Sequence, residues 1–103
     1  MEFQNVTIVK KANVYYDGKV ISRTVKFNDG TKKTLGFIQP GTYTFNTDSE
    51  ETMEILSGNL RVELPGTKDV LTIHSEGVFV VPAHSAFTMV VESVTDYCCS
   101  YAQ

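Results

Sequence analysis

Residues 52–64 read Thr-Met-Glu-Ile-Leu-Ser-Gly-Asn-Leu-Arg-Val-Glu-Leu, and this stretch decides the fold class. Apolar side chains occupy every second position on both sides of Gly58, from Met53 to Ile55 and from Leu60 to Leu64. A period of two is typical of a strand that buries one face. Because Ser-Gly-Asn is a turn signal, the stretch predicts a β-hairpin.

The same pattern continues along the chain. None of the remaining segments has the 3.6-residue period of a long amphipathic helix. Residues 1–16 either add another strand or lie across the sheet of a partner. Short strands separated by Gly, Pro and Asn turns predict an all-β antiparallel sandwich or barrel, and 103 residues suffice for a single domain, 1–103. Further strands are predicted over residues 20–27, 33–38, 42–47, 70–74, 78–81, 86–91 and 95–101.

Charge and composition exclude several classes of function. Nine Lys+Arg against twelve Asp+Glu give a net charge of -3, whereas a nucleic-acid-binding protein needs a basic face. No apolar run approaches the roughly 20 residues of a membrane helix, and the first residues lack the pattern of a signal peptide. The adjacent Cys98 and Cys99 point to opposite faces of a strand, so two free thiols are expected. A cytoplasmic protein is therefore expected, without nucleic-acid or membrane partners.

Polar residues that share strand parity with apolar ones are candidates for a site. Arg23 shares parity with Ile21 and Val25, Glu51 with Met53, and Ser85 with Phe87. A buried charge is costly unless it is paired, so Arg23 and Glu51 either pair, lie in solvent at strand ends, or line an open pocket that binds an anion.

Histidines and hydroxyl groups supply weaker candidates. His74 and His84 are the only histidines and form no His-x-His pair, so no metal site is expected. His84 lies in a turn, where either a catalytic or a structural role is open. Thr44 could donate to a sugar or phosphate, and Tyr97 could stack on a ligand, although both residue types are also ordinary strand residues.

Two segments resemble the cupin motifs. Glu51 and Gly58 match the glutamate and glycine of the first motif, but its histidine pair is absent. Residues 77–82, Gly-Val-Phe-Val-Val-Pro, resemble the start of the second motif, and Phe87 stands where cupins usually carry a histidine ligand. The resemblance implies a cupin-type antiparallel β-barrel, or jelly roll, from which the metal ligands have largely been lost.

A longer set of fragments is similar to the small pyrimidine/purine nucleoside phosphorylases, a family of single-domain cupins. This resemblance implies phosphorolysis of purine and pyrimidine ribonucleosides to free base and ribose 1-phosphate, with phosphate as co-substrate, no cofactor and a homodimer. The fragments include Tyr16-Asp-Gly-Lys-Val20, Pro40-Gly-Thr-Tyr-Thr-Phe45, Glu51-Thr-Met-Glu-Ile-Leu-Ser-Gly58, Phe79-Val-Val-Pro82 and Tyr97-Cys-Cys99.

Phosphorolysis suits a small site, because phosphate itself is the nucleophile and the transition state has oxocarbenium character. As hypotheses, Glu51 contacts the ribose and favours the cationic ring, and His84 contacts the leaving base or phosphate. Arg23, Thr44 and Ser85 hold phosphate, while Met53, Phe87 and Tyr97 form an apolar wall. The alternatives are a non-catalytic cupin module that binds a small sugar or nucleotide and, more remotely, a metal-dependent cupin enzyme.

Overall fold

The computed structural model describes residues 1–102, which are almost entirely strand. The only helical element within these residues is a short 3-10 turn, Tyr16–Gly18, and no described helix has the length and hydropathy required to cross a membrane. The all-β prediction is confirmed. The strands are β1 (Thr7–Ile8), β2 (Asn13–Tyr15), β3 (Val20–Lys26), β4 (Lys32–Ile38), β5 (Gly41–Asn46), β6 (Glu51–Ser57), β7 (Asn59–Glu63), β8 (Val70–His74), β9 (Gly77–Val81), β10 (Ala86–Val91) and β11 (Thr95–Tyr101).

These strands form two antiparallel sheets. The large sheet has seven strands in the order β1-β3-β4-β11-β6-β9, with β2 also paired to β3, and the small sheet has the order β5-β10-β7-β8. One core cluster contains side chains of both sheets, among them Ile55 and Tyr97 from the large sheet and Val62 and Met89 from the small one. The sheets therefore pack face to face, and within residues 1–102 neither closes on itself as the predicted barrel would.

The stretch that predicts the fold class forms two strands, but its predicted hairpin is wrong. Strand β6 pairs with β11 and β9, while β7 pairs with β10 and β8 in the other sheet. The chain crosses between the sheets at Gly58, whose φ of 155° favours glycine, and an added Cβ there would clash with the Thr95 hydroxyl oxygen. The Gly58 N–H and carbonyl instead pair with the backbone of Ser75.

The two faces of the large sheet are both rich in apolar side chains. The inner face packs on the small sheet. We define the outer face as the opposite side of β3, β4, β11, β6 and β9, which leaves several large apolar side chains exposed. These side chains are Ile21, Leu35, Phe37, Leu56, Val78 and Val80.

The N-terminal segment bridges the two sheets beside the core. Strand β2 extends the large sheet through β3. The Tyr16 hydroxyl then donates to the Thr44 carbonyl of β5, 2.5 Å away, and accepts from the Thr44 N–H at 3.0 Å. Tyr16 and Asp17 have φ of 51° and 56°, a left-handed conformation that is uncommon for residues other than glycine. The first residues thus add two short strands to this chain's own sheet.

Candidate functional site

A hollow of about 220 Å³ opens between the two sheets, and we call it the inner hollow. Its walls come from both sheets and from β2, so side chains distant in sequence meet there. They combine aromatic rings, thioethers and a small number of polar groups. The lining residues are Tyr15, Val20, Ser22, Ile38, Phe45, Asn46, Glu51, Met53, Phe87, Met89, Tyr97, Cys99 and Tyr101.

Glu51 is the carboxylate of the inner hollow. It begins β6, where it lies opposite Val81 of β9 and Tyr101 of β11. Its side chain is half-buried, and the Cys99 thiol donates a hydrogen bond to Glu51 Oε1 over 3.5 Å. Burial raises the pKa of the Glu51 carboxyl above its ordinary value, and the thiol bond opposes this rise only in part. The site therefore contains a carboxyl group whose proton is held more tightly than in water.

Strand β11 supplies three more titratable groups of the inner hollow, Tyr97, Cys99 and Tyr101. Burial raises the pKa of the Tyr97 hydroxyl and of the Cys99 thiol to about 12 each. Burial also raises the pKa of Tyr101, whose hydroxyl lies 3.2 Å from that of Thr34. All three groups stay protonated at neutral pH, so they act as hydrogen-bond donors and not as bases.

Aromatic rings form one wall of the inner hollow. The Phe45 ring lies 6.1 Å from Phe87, and Phe87 lies 6.1 Å from Phe79. Tyr15 and Tyr16 pack edge-on against Phe45 at 5.9 Å and 5.5 Å. Such a wall offers flat apolar surface for stacking against a planar ligand.

A second hollow of about 470 Å³ adjoins the first, and we call it the outer hollow. Asn46, Glu51 and Tyr101 line both hollows, which makes these three residues a shared wall. The outer hollow is more polar than the inner one. Its other lining residues are Lys32, Asp48, Ser49 and Ala102.

The structure brings half of the predicted site residues together. Glu51, Met53, Phe87 and Tyr97 all line the inner hollow. Glu51, Met53 and Ile55 therefore face the interior, as predicted from their shared parity. Phe87 and Met89 do so as well.

The placement predicted for Arg23 is wrong. On β3 the buried inner residues are Val20 and Ser22, so Arg23 lies on the outer face, exposed, with its Nε 3.4 Å from the Lys10 carbonyl oxygen. Arg23 and Glu51 lie on opposite faces of the sheet and form no pair. Apolar side chains cover both faces of β3, and for that reason Ile21 is not a guide to the interior.

Thr44, Ser85 and His84 do not line either hollow. The Thr44 hydroxyl lies 2.9 Å from that of Thr88, and both are turned away from the core. Ser85 precedes β10, and its hydroxyl donates to the Ala83 carbonyl at 3.1 Å. His84 is exposed in the same turn with a φ of 53°. The contacts of these three residues are those of ordinary strand and turn residues, and none of the three faces a hollow.

Several residues of the site have no counterpart among the predicted site residues. Cys99 and Tyr101 share strand parity with Tyr97, so the sequence itself indicates that they lie on the same face as Tyr97. Tyr15, Asn46 and Lys32 lie at element ends, where alternation carries little information about direction. Within residues 1–102, no three His, Cys, Asp or Glu side chains come together as a metal site would require.

Comparison with known proteins identifies the chain's relatives. The family model described as pyrimidine/purine nucleoside phosphorylase matches residues 10–101. A protein of that name from Geobacter sulfurreducens is 60% identical over 100 residues, covering 97% of this chain and 96% of the relative. Another of that name, from Syntrophotalea carbinolica, is 58% identical with the same coverage.

Solved structures support the same assignment. A crystal structure of a protein of unknown function from Acinetobacter sp. ADP1 superposes with a TM-score of 0.93 at 43% identity, covering 98% of each chain. A cupin-2 domain protein from Shewanella frigidimarina has a TM-score of 0.61 at 12% identity, covering 91% of this chain and 81% of that one, which supports the cupin-like fold alone. The family predicted from sequence is thus confirmed, and the chain belongs to the pyrimidine/purine nucleoside phosphorylases.

Proposed function

We propose that the protein catalyses phosphorolysis of purine and pyrimidine ribonucleosides, releasing free base and ribose 1-phosphate. The observation that carries this proposal is membership of the family over nearly the whole chain. The site is compatible with this reaction, because the Glu51 carboxylate lies on the wall between the aromatic inner hollow and the outer hollow.

The base occupies the inner hollow in this proposal. Phe45, Phe87 and Tyr15 offer stacking surface, and Met53 adds a polarisable apolar contact. Stacking on a π-face tolerates different bases because every base has such a face. A wall of this kind is consistent with both purine and pyrimidine substrates.

Glu51 contacts the ribose. Glu51 lines both hollows, which supports a contact with the sugar when the base is in the inner one. As the glycosidic bond breaks, positive charge grows on the ribose ring, and a carboxylate fixed in a partly buried site stabilises that charge. The Cys99 thiol and the Tyr97 and Tyr101 hydroxyls, all protonated, orient the carboxylate and the sugar by donating hydrogen bonds.

The reaction needs no metal in this proposal, since phosphate supplies the nucleophile. Metal analysis of purified active protein tests this part. We expect no stoichiometric transition metal and no loss of activity after dialysis against a chelator. Loss of activity that is restored by a metal ion would contradict it. The two buried thiols, Cys98 and Cys99, are free and suit a reducing compartment, so a cytoplasmic location is part of the proposal.

A homodimer formed through the outer face completes the proposal. Exposed apolar side chains such as Phe37 and Leu56 line a groove of about 1170 Å³ on this face. Arg23 lies on its β3 side, whereas Glu54 and Asp96 lie on its β6 and β11 side. A two-fold axis that runs along the strands between β4 and β11 sets β3 against the β6 of a second copy, so these opposite charges meet.

The decisive experiment measures release of base from inosine and from uridine, each with and without phosphate. We expect release that requires phosphate and is accompanied by ribose 1-phosphate in equal amount. Stabilisation of the protein by nucleosides without any release would support a binding module instead. Release that proceeds equally without phosphate would indicate a hydrolase.

A further inference from the structure

Phosphorolysis requires a place for an anion beside the sugar, and the structure offers one cation for it. Arg23 faces the wrong side of the sheet. Of the side chains that line the inner and outer hollows, only Lys32 carries a positive charge within the described residues 1–102.

The backbone directs Lys32 toward the site. It begins β4 and shares strand parity with Thr34, which is buried and lies next to the Tyr101 hydroxyl. The Lys32 ammonium lies 5.6 Å from the centre of the Tyr101 ring, which attracts the cation and holds it at the shared wall. The next residue, Lys33, lies on the opposite face of β4, with its ammonium 5.4 Å from the Phe3 ring.

The outer hollow has donors for a tetrahedral anion. Besides Lys32, the Asn46 amide and the Ser49 hydroxyl line it, and about 470 Å³ is ample for phosphate. Two carboxyls also line the outer hollow. Glu51 lies on the wall shared with the inner hollow, where its carboxylate faces the ribose in the proposed function, whereas the exposed Asp48 opposes an anion across solvent that screens the repulsion.

The two hollows adjoin at the shared wall of Asn46, Glu51 and Tyr101. With the base in the inner hollow and the ribose at this wall, an anion in the outer hollow is next to the sugar, as a bimolecular displacement at the anomeric carbon requires.

We propose that the outer hollow is the phosphate subsite, with Lys32 as its cation and Asn46 and Ser49 as neutral donors, an assignment that rests on the proposed phosphorolysis. A lone pair of a phosphate oxygen forms the new bond to the anomeric carbon. The bond between that carbon and the base nitrogen breaks, and its electron pair leaves with the base, which takes up the proton that hydrogen phosphate loses on becoming the ribose 1-phosphate ester. No oxidant or reductant takes part.

Two measurements on the Lys32→Met variant test the subsite, and Lys33→Met is the matched control on the other face. In the first, inorganic phosphate is added at constant ionic strength and Tm is recorded. We expect Tm to rise for the parent and Lys33→Met but not for Lys32→Met, since only the last lacks the binding cation. Equal shifts in all three proteins, or no shift in the parent, would overturn the proposal.

The second measurement is the steady-state rate as phosphate and nucleoside are varied in turn. Lys32→Met should raise the KM for phosphate about tenfold or more, the loss typical of a charged hydrogen bond, with little change in the KM for nucleoside. Asp48→Asn should lower the KM for phosphate, because it removes an opposing charge. An unchanged KM for phosphate in Lys32→Met would refute the subsite.

Failure of the subsite and failure of the proposed function are distinguishable. If phosphate raises Tm through Lys32 but no base is released, the subsite stands and the phosphorylase proposal fails. If base release requires phosphate and Lys32→Met behaves as the parent does, the function stands and the subsite is refuted.

Discussion

The inner and outer faces of the large sheet carry similar apolar side chains but differ in their polar groups. On the inner face, Glu51 and Cys99 are hydrogen-bonded to each other inside a hollow. On the outer face, Arg23 and Glu54 stand in solvent around an apolar groove. The comparison teaches that apolar content does not distinguish the face proposed for catalysis from the face proposed for the dimer; the enclosure of the polar groups does.

Glu51→Gln should have the largest effect on this comparison. Removing the carboxylate charge at the inner face should lower kcat about a hundredfold or more, because charge stabilisation in an enclosed site is worth that much. Steady-state kinetics with uridine measures it. Glu63→Gln, at an exposed carboxylate of the small sheet that lines neither hollow nor the groove, is the control and should keep kcat near that of the parent. Near-normal turnover in Glu51→Gln would remove Glu51 from the catalytic residues.

Phe37→Asp should have the next largest effect, and it concerns the outer face. An aspartate in the apolar groove would be buried without a partner in the proposed dimer, so the dimer should dissociate. Sedimentation velocity of variant and parent measures this at matched concentrations. Leu71→Asp, at an exposed apolar position of the small sheet, is the control and should leave the mass unchanged. A parent that sediments as a monomer would refute the proposed interface.

The ionisation of Glu51 on the inner face should also make stability depend on pH, and this effect should be smaller than the two above. The folded-state pKa of Glu51 is raised, so the folded protein binds its proton more tightly than the unfolded chain does. The contribution of Glu51 to stability is therefore fully present below its unfolded pKa and is lost as pH rises through its folded pKa. Glu51→Gln should remove that loss, so its Tm should gain on the parent as pH rises across this window. A difference in Tm that is independent of pH would contradict the shift.

Arg23→Ala should have the smallest effect on catalysis. Its guanidinium is on the outer face, so the KM for phosphate should stay within about twofold of the parent value, as for a solvent-exposed charge. The phosphate titration described for Lys32→Met measures it under the same conditions. A rise in this KM comparable to that of Lys32→Met would mean that the outer face, and not the outer hollow, binds phosphate.

Strands β3 and β6 explain why sequence predicts one face of the site and not the other. In β6, Thr52 and Glu54 are polar, so the apolar residues Met53 and Ile55 identify the inner face, and Glu51 with it. In β3, Val20 faces inward and Ile21 outward, and both are apolar. Alternation then gives no direction, and the parity of Arg23 is assigned to the wrong face.

Pairing between strands is less predictable than the strands themselves. The turn residues around Gly58 are compatible with a hairpin, yet the chain crosses there to the other sheet, because tertiary contacts with Ser75 and Thr95 decide its direction. The hollow depends on this crossing, since it places β6 and β7 in opposing sheets. Residues such as Tyr15 and Lys32, brought to the site by pairing, carry no local signal of their role.

Strand β11 has a consequence for how the molecule is made. It comes last in chain order but lies in the middle of the large sheet, between β4 and β6, and it carries Tyr97 and Cys99. During synthesis the earlier strands emerge with that central place empty and with unpaired edges that other chains can add to. The large sheet and the inner hollow therefore form together, after translation has passed residue 101, and folding is expected to be slow because these pairings are distant in sequence.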